Sequence, residues 1–76
     1  MPHVEIQCFP GRAEEQKQLC AEKIADVVAE TLGCKTSSVS VAIKEVVEAD
    51  WKERVWDRCV VPDAEYLYKK PGYTCD

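Results

Sequence analysis

Residues 3–47 read HVEIQCFPGRAEEQKQLCAEKIADVVAETLGCKTSSVSVAIKEVV, and the fold is decided there. In residues 3–9, Val4, Ile6 and Cys8 alternate with His3, Glu5 and Gln7, the period of a strand with one apolar and one polar face. Pro10-Gly11 stops that strand, and Arg12 follows directly. From Ala13 to Leu32 the period lengthens. Cys20, Ile24, Val27, Val28 and Thr31 form one helical stripe, flanked by Leu19 and Leu32, with most of the charge elsewhere. Glu14 and Glu15 suit the positive end of the helix dipole, and Gly33 is a natural terminator. Residues 38–47 alternate again, with Val39, Val41 and Ile43 against Ser38, Ser40, Ala42 and Lys44. Strand, helix of about 20 residues, strand predicts two parallel strands joined by a right-handed crossover. One helix covers one face of such a sheet; the other face is wet or pressed against a second copy of the chain.

Beyond Val47 the spacing is less regular. Asp50 and Glu53 read as a capping pair for a short helix running to Val60, which Pro62 interrupts. Asp63 reads as the cap of a further turn or two through Tyr68, and residues 69–72, KKPG, as a turn or tail. The sequence has no internal repeat or linker, so residues 1–76 are expected to form a single domain. The fold class expected is α+β: a β-α-β unit with parallel strands, one main helix on one sheet face, and short C-terminal helices.

Composition narrows the function. With 76 residues, 46% hydrophobic and 32% charged, the chain reads as soluble and globular rather than disordered. No apolar run approaches the roughly 18 residues of a membrane span, and no basic region followed by a greasy stretch marks an export signal. A cytoplasmic location is expected, with no membrane partner. The net charge of −4 argues against a general nucleic-acid binder. The five cysteines, Cys8, Cys20, Cys34, Cys59 and Cys75, are odd in number and widely spaced, which disfavours a disulfide framework. With no CxxC pair and His3 the one histidine, no metal site is expected. A core this small seldom supplies more than about 3–5 kcal/mol of net stability, so self-association is the remaining way to bury surface.

Pro2 is the most informative residue for chemistry: it either merely starts a strand, where its missing N–H costs little, or becomes a base. Aminopeptidases that remove an initiator methionine favour a small second residue. Removal of Met1 turns the Pro2 nitrogen from an amide into a free secondary amine. Terminal amines titrate near 7.7–8.0 in model peptides. An apolar pocket or a nearby cation lowers that further, towards the range that suits a general base at pH 7.

The stretch from Pro2 to Lys17, PHVEIQCFPGRAEEQK, resembles the opening of the 4-oxalocrotonate tautomerase family. So does the arrangement of a proline heading a strand, a Gly-Arg just after it, an EEQK-like helix start and a second strand of the SSVSVAIKE type. Residues 2–51 carry the resemblance. The remainder, with WKERVWD and KKPGY, is similar to the longer bacterial tautomerases of that superfamily, some of which are dimers instead of hexamers. The resemblance implies a tautomerase that needs no metal or organic cofactor, acting on a small-molecule carboxylate as a homo-oligomer, with the dimer favoured. Pro2 matches the family's general base. Arg12 matches the arginine that grips a substrate carboxylate, a task suited to a planar guanidinium. Trp51 takes the place of an aromatic wall. The family's second arginine is here Ser40, whose hydroxyl donates one hydrogen bond and carries no charge. A substrate with one carboxylate and an aromatic end, such as phenylenolpyruvate, therefore fits better than a dicarboxylate such as 2-hydroxymuconate. His3 is read as lining the sheet or the pocket rim, not as a catalytic acid, and Lys69 and Lys70 as a solvated tail. Two alternatives stand beside this reading: a hydratase, dehalogenase or decarboxylase on the same scaffold, and a non-catalytic oligomeric binding module.

Pro2 and Arg12 flank the first strand. At about 3.3 Å per residue they lie roughly 25–30 Å apart in one chain, so a site using both must draw them from two chains.

Overall fold

Alternating apolar residues need a partner strand at the matching register, and the two alternating segments supply it for each other. The computed structural model of the chain describes residues 1–75. Strand β1 (His3–Cys8) and strand β2 (Ser40–Glu45) form a two-stranded parallel sheet. The register pairs His3 with Ser40, Val4 with Val41, Ile6 with Ile43 and Cys8 with Glu45. Like faces therefore meet: Val4, Ile6, Val41 and Ile43 share one side, and His3, Glu5, Ser40 and Lys44 share the other. On the polar side Lys44 pairs with Glu5 at 2.8 Å.

The crossover is helix α1 (Glu14–Leu32). The residue before it, Ala13, has no side chain with which to cap, but its N–H donates to the Gln16 side chain at 3.0 Å, half of a capping box. At the far end Gly33 takes the left-handed conformation (φ 75°). The N–H groups of Gly33 and Cys34 both reach the Ala29 carbonyl, at 3.1 and 3.0 Å. The second of these is the six-to-one bond of a Schellman ending, which is why a glycine stands there.

The helix face that packs differs from the expected stripe. Lys17, Ala21, Ile24, Ala25, Val28 and Ala29 are half-buried, whereas Cys20, Val27 and Thr31 are exposed, as are Leu19 and Leu32. Val27 keeps 57% of its surface and Leu32 70%. Ile24 and Val28 of the expected stripe do pack, beside the small Ala21, Ala25 and Ala29, and Ala21 lines a groove with Val41 and Ile43. Lys17 links α1 to the strand, 2.8 Å from Glu14 and 3.6 Å from Glu45.

The second strand is shorter than its alternation suggests. Thr36–Ser38 form a 3₁₀ turn instead, closed by bonds from Ser38 N–H to the Lys35 carbonyl and from Val39 N–H to the Thr36 carbonyl, both 3.0 Å. Hydroxyl residues favour such local turns over a ladder.

The described residues cluster in two compact units, one ending at Glu45 and one beginning at Val46. The second opens with helix α2 (Glu48–Trp51), which runs directly into a π-helical segment, Lys52–Val60. Asp50 therefore lies within the helix rather than at its cap, and its carboxylate is 3.9 Å from Arg54. π-helices longer than a turn are rare. Here the side chains follow the wider winding. Lys52 meets Asp57 at 3.0 Å and Arg58 meets Glu53 at 3.3 Å, both five residues apart. In an α-helix such pairs stand about 140° apart and do not meet. The segment ends at Val60, two residues before Pro62, as the sequence reading expects. Asp63 contributes its carbonyl, not its side chain, to the short 3₁₀ turn Ala64–Tyr66.

Among the described residues only Val46 and Val55 are buried hydrophobics, both in the second unit. None in α1 is fully buried. Full burial of a large aliphatic side chain contributes about 1.5–3 kcal/mol, so an α1 packed this thinly leaves the first unit short of core. No helix among the described residues is long and apolar enough to cross a membrane.

Candidate active site

Pro2 precedes β1, and its carbonyl accepts the Ser40 N–H at 3.1 Å. That bond ties the chain's start to the start of β2, so Pro2 and Ser40 are neighbours by construction of the parallel ladder. The next residue completes the group: His3 Nδ1 lies 2.6 Å from Ser40 Oγ, across the first register pair of the sheet. Both side chains are exposed on the polar face. Two residues on, Glu5 shares this face, its carboxyl held below the ordinary value of 4.5 by the hydrogen bond and charge of Lys44, with a smaller contribution from His3.

Arg12 is at the other end of the sheet. Arg12 follows β1, so it stands at least a strand's length from Pro2. One guanidinium nitrogen donates to the Phe9 carbonyl at 3.1 Å. This pins the side chain against the loop and leaves most of its five donors for another partner. Arg12 opens onto a cleft of about 180 Å³ lined by Ile6, Cys8, Gln16, Lys17, Cys20 and Ile43. The lining is mostly apolar, and of its two cations Lys17 is already paired with Glu14 at 2.8 Å and Glu45 at 3.6 Å, which leaves the Arg12 guanidinium as the group for an anion. Lys17 is held protonated, its value raised above 10.5, chiefly by its hydrogen bond to Glu14.

Trp51 belongs to the second unit. Its indole N–H donates to the Tyr73 hydroxyl at 3.3 Å. The Tyr73 ring in turn packs on Trp56, centroids 5.4 Å apart and planes tilted by 45°. Residues 69–72, expected to be a turn or tail, are irregular with bends at Lys69 and Gly72, and the next residue, Tyr73, meets both tryptophans.

Of the four residues singled out from the sequence, the fold brings Pro2 and Ser40 together and sets Arg12 at the far end of β1. Two further residues were not given these roles from the sequence. His3 is bonded to Ser40, which its place opposite Ser40 in two alternating strands implies once the register is fixed. Tyr73 is bonded to Trp51. Its only sequence signal is an aromatic directly after a Pro-Gly turn.

A family model described as "Tautomerase enzyme" matches residues 2–56. The chain is 48% identical over 75 residues to "Tautomerase PptA" of Enterobacter sp. (strain 638), covering 97% of this chain and 99% of that one. It is 42% identical over 74 residues to the protein of the same name from Cronobacter sakazakii (strain ATCC BAA-894), covering 96% and 97%. Among solved structures it is similar to YwhB, described as a homologue of 4-oxalocrotonate tautomerase. The TM-score is 0.60 and the identity 34%, over 62% of this chain and 77% of that one.

Proposed function

The chain belongs to the tautomerase family, whose members are isomerases, and from that premise we propose that Pro2 is its general base. Loss of Met1 exposes the imino nitrogen. That nitrogen takes a proton from an enol hydroxyl or from an acidic carbon beside a carbonyl and returns it to another carbon of the same molecule. Arg12 holds the substrate carboxylate, Trp51 supplies an apolar wall, and Ser40 donates to the oxygen on which charge develops. The substrate is a 2-oxo or 2-hydroxydienoate acid, and with one strong cation per site a monocarboxylate with an aromatic end is preferred.

The observation that carries this reading is the placement of Pro2 and Arg12 at opposite ends of a parallel sheet. One small acid reaches both when a second chain lies antiparallel to the first, so that the start of one β1 meets the end of the other. The thin cover over the sheet and the exposed Leu19 and Val27 support such an association, a homodimer acting in the cytoplasm. The oligomer is then part of the catalyst.

The test has two parts. Intact mass spectrometry of the purified protein reports whether Met1 is gone. Turnover of phenylenolpyruvate and 2-hydroxymuconate is then compared for the processed protein and for Pro2→Ala. Removing a general base costs typically 10²–10⁴-fold. A fully active Pro2→Ala protein, or a clear preference for the dicarboxylate, overturns the reading.

A further inference from the structure

Ser40 has one proton to give. A hydroxyl that donates it to a neighbouring side chain has none left for a substrate oxygen. Its partner here is His3 Nδ1 at 2.6 Å, and the imidazole meets that hydroxyl in two ways. With Nδ1 bare, the ring accepts and the Ser40 proton is committed to it. With Nδ1 protonated, the ring donates to Oγ and the Ser40 proton is released outward. The imidazolium carries a proton on both nitrogens, so it permits only the second arrangement. It also places a positive charge one hydrogen bond behind the hydroxyl, where charge-assisted bonds are stronger.

We propose that His3 and Ser40 act as a relay that turns Ser40 into a charge-backed hydrogen-bond donor towards the substrate's enolate oxygen when His3 is protonated. The pair does in two residues what a second arginine would do in one. Ser40 is the group that touches substrate; His3 is a positioning residue that acts through it. The inference rests on the reading of Pro2 as base.

The charged groups that face the ring lie on the same side of the sheet. Glu5 stands two residues along β1, and Lys44 of β2 sits beyond it in a 2.8 Å ion pair. The remaining titratable group beside His3 is the terminal amine, Met1 before processing and Pro2 after it. Helix α1 lies on the other face of the sheet. The backbone bond from Ser40 to Pro2, 3.1 Å, holds the relay within one residue of the base.

The experiment compares Ser40→Ala with the unaltered sequence, both lacking Met1, in phenylenolpyruvate turnover at pH 5.5 and 8.5. Pro2 titrates in both proteins, so the ratio of the two rates cancels it. The expected loss in kcat/KM on Ser40→Ala is at least roughly tenfold at pH 5.5, the worth of a hydrogen bond backed by charge, and under about twofold at pH 8.5. In a His3→Gln background the loss is the same at both pH values. Without substrate, the ¹⁵N resonance of His3 Nδ1 moves on Ser40→Ala. An equal loss at both pH values with His3 present overturns the relay alone, as does an unmoved Nδ1 resonance. Undiminished turnover by Pro2→Ala overturns the base, and the relay's part in turnover with it.

Discussion

If the catalytic site is shared between chains, two dead proteins make a live one. The perturbation is Pro2→Ala in one preparation and Arg12→Ala in another. Strand β1 is six residues long, which at about 3.3 Å per residue separates its ends by roughly 20 Å, and Arg12 lies four residues beyond Cys8. A small keto acid does not span that distance, so under the proposed function each site takes Pro2 from one chain and Arg12 from its neighbour. In a one-to-one mixture with free exchange, a given site receives an intact Pro2 half the time and, independently, an intact Arg12 half the time. About a quarter of the sites are then complete. That fraction is the same for dimers and for hexamers whose sites are each shared by two chains. The assay is the decay of phenylenolpyruvate absorbance before mixing, after mixing, and after a cycle of dissociation and reassembly. Native mass spectrometry of differently labelled chains shows when exchange is complete. Recovery to about a quarter of the unaltered activity is expected. Completed exchange with activity no higher than the average of the two variants refutes the shared site.

Three further outcomes follow from the structure. Replacing Gly33 with alanine forces a side chain into a left-handed backbone (φ 75°); it should destabilise the fold by about 1 kcal/mol in urea unfolding, and Gly33→Asn by less. Tyr73→Phe removes the acceptor for the Trp51 indole and should cost roughly 0.5–1 kcal/mol, with a change in tryptophan emission. Tyr73→Ala also loses the ring contact with Trp56, about 0.5–1.5 kcal/mol more. Glu5 has a lowered carboxyl value because of Lys44. Its contribution is complete above 4.5, the ordinary value, and fades as the pH falls through the lowered one. Lys44→Met should return the Glu5 titration towards 4.5, read by side-chain ¹³C shifts, and remove that part of the acid sensitivity.

The elements themselves follow from local chemistry. The two-residue period of β1 and β2, the longer period of α1, the glycine at its end and the break before Pro62 each rest on a few adjacent residues, and the elements stand close to where the sequence places them, β2 being shorter by two residues at each end. The separation of Pro2 from Arg12 is equally local, because it is only the length of a strand. Details that depend on the fit of one element to another are not written in any short window. The half-buried face of α1 holds Ala21, Ala25 and Ala29 beside Ile24 and Val28, while Leu19, Val27 and Leu32 stay exposed, a choice among apolar residues that periodicity does not make. The π-helical winding of residues 52–60 shows itself in pairs five residues apart, which a sequence scanned at three and four does not single out.

For the candidate site the division is sharper. Sequence alone determined that Pro2 heads a strand, that Arg12 follows it and that Ser40 stands in a polar position of the second strand. Tertiary structure decided that His3 faces Ser40, since a parallel register joins residues 37 apart and a slip of one would send the hydroxyl to the helix side. It also decided that Tyr73 meets Trp51, 22 residues away. Period and propensity act over a few residues, whereas register and docking are settled only when distant segments compete for the same surface.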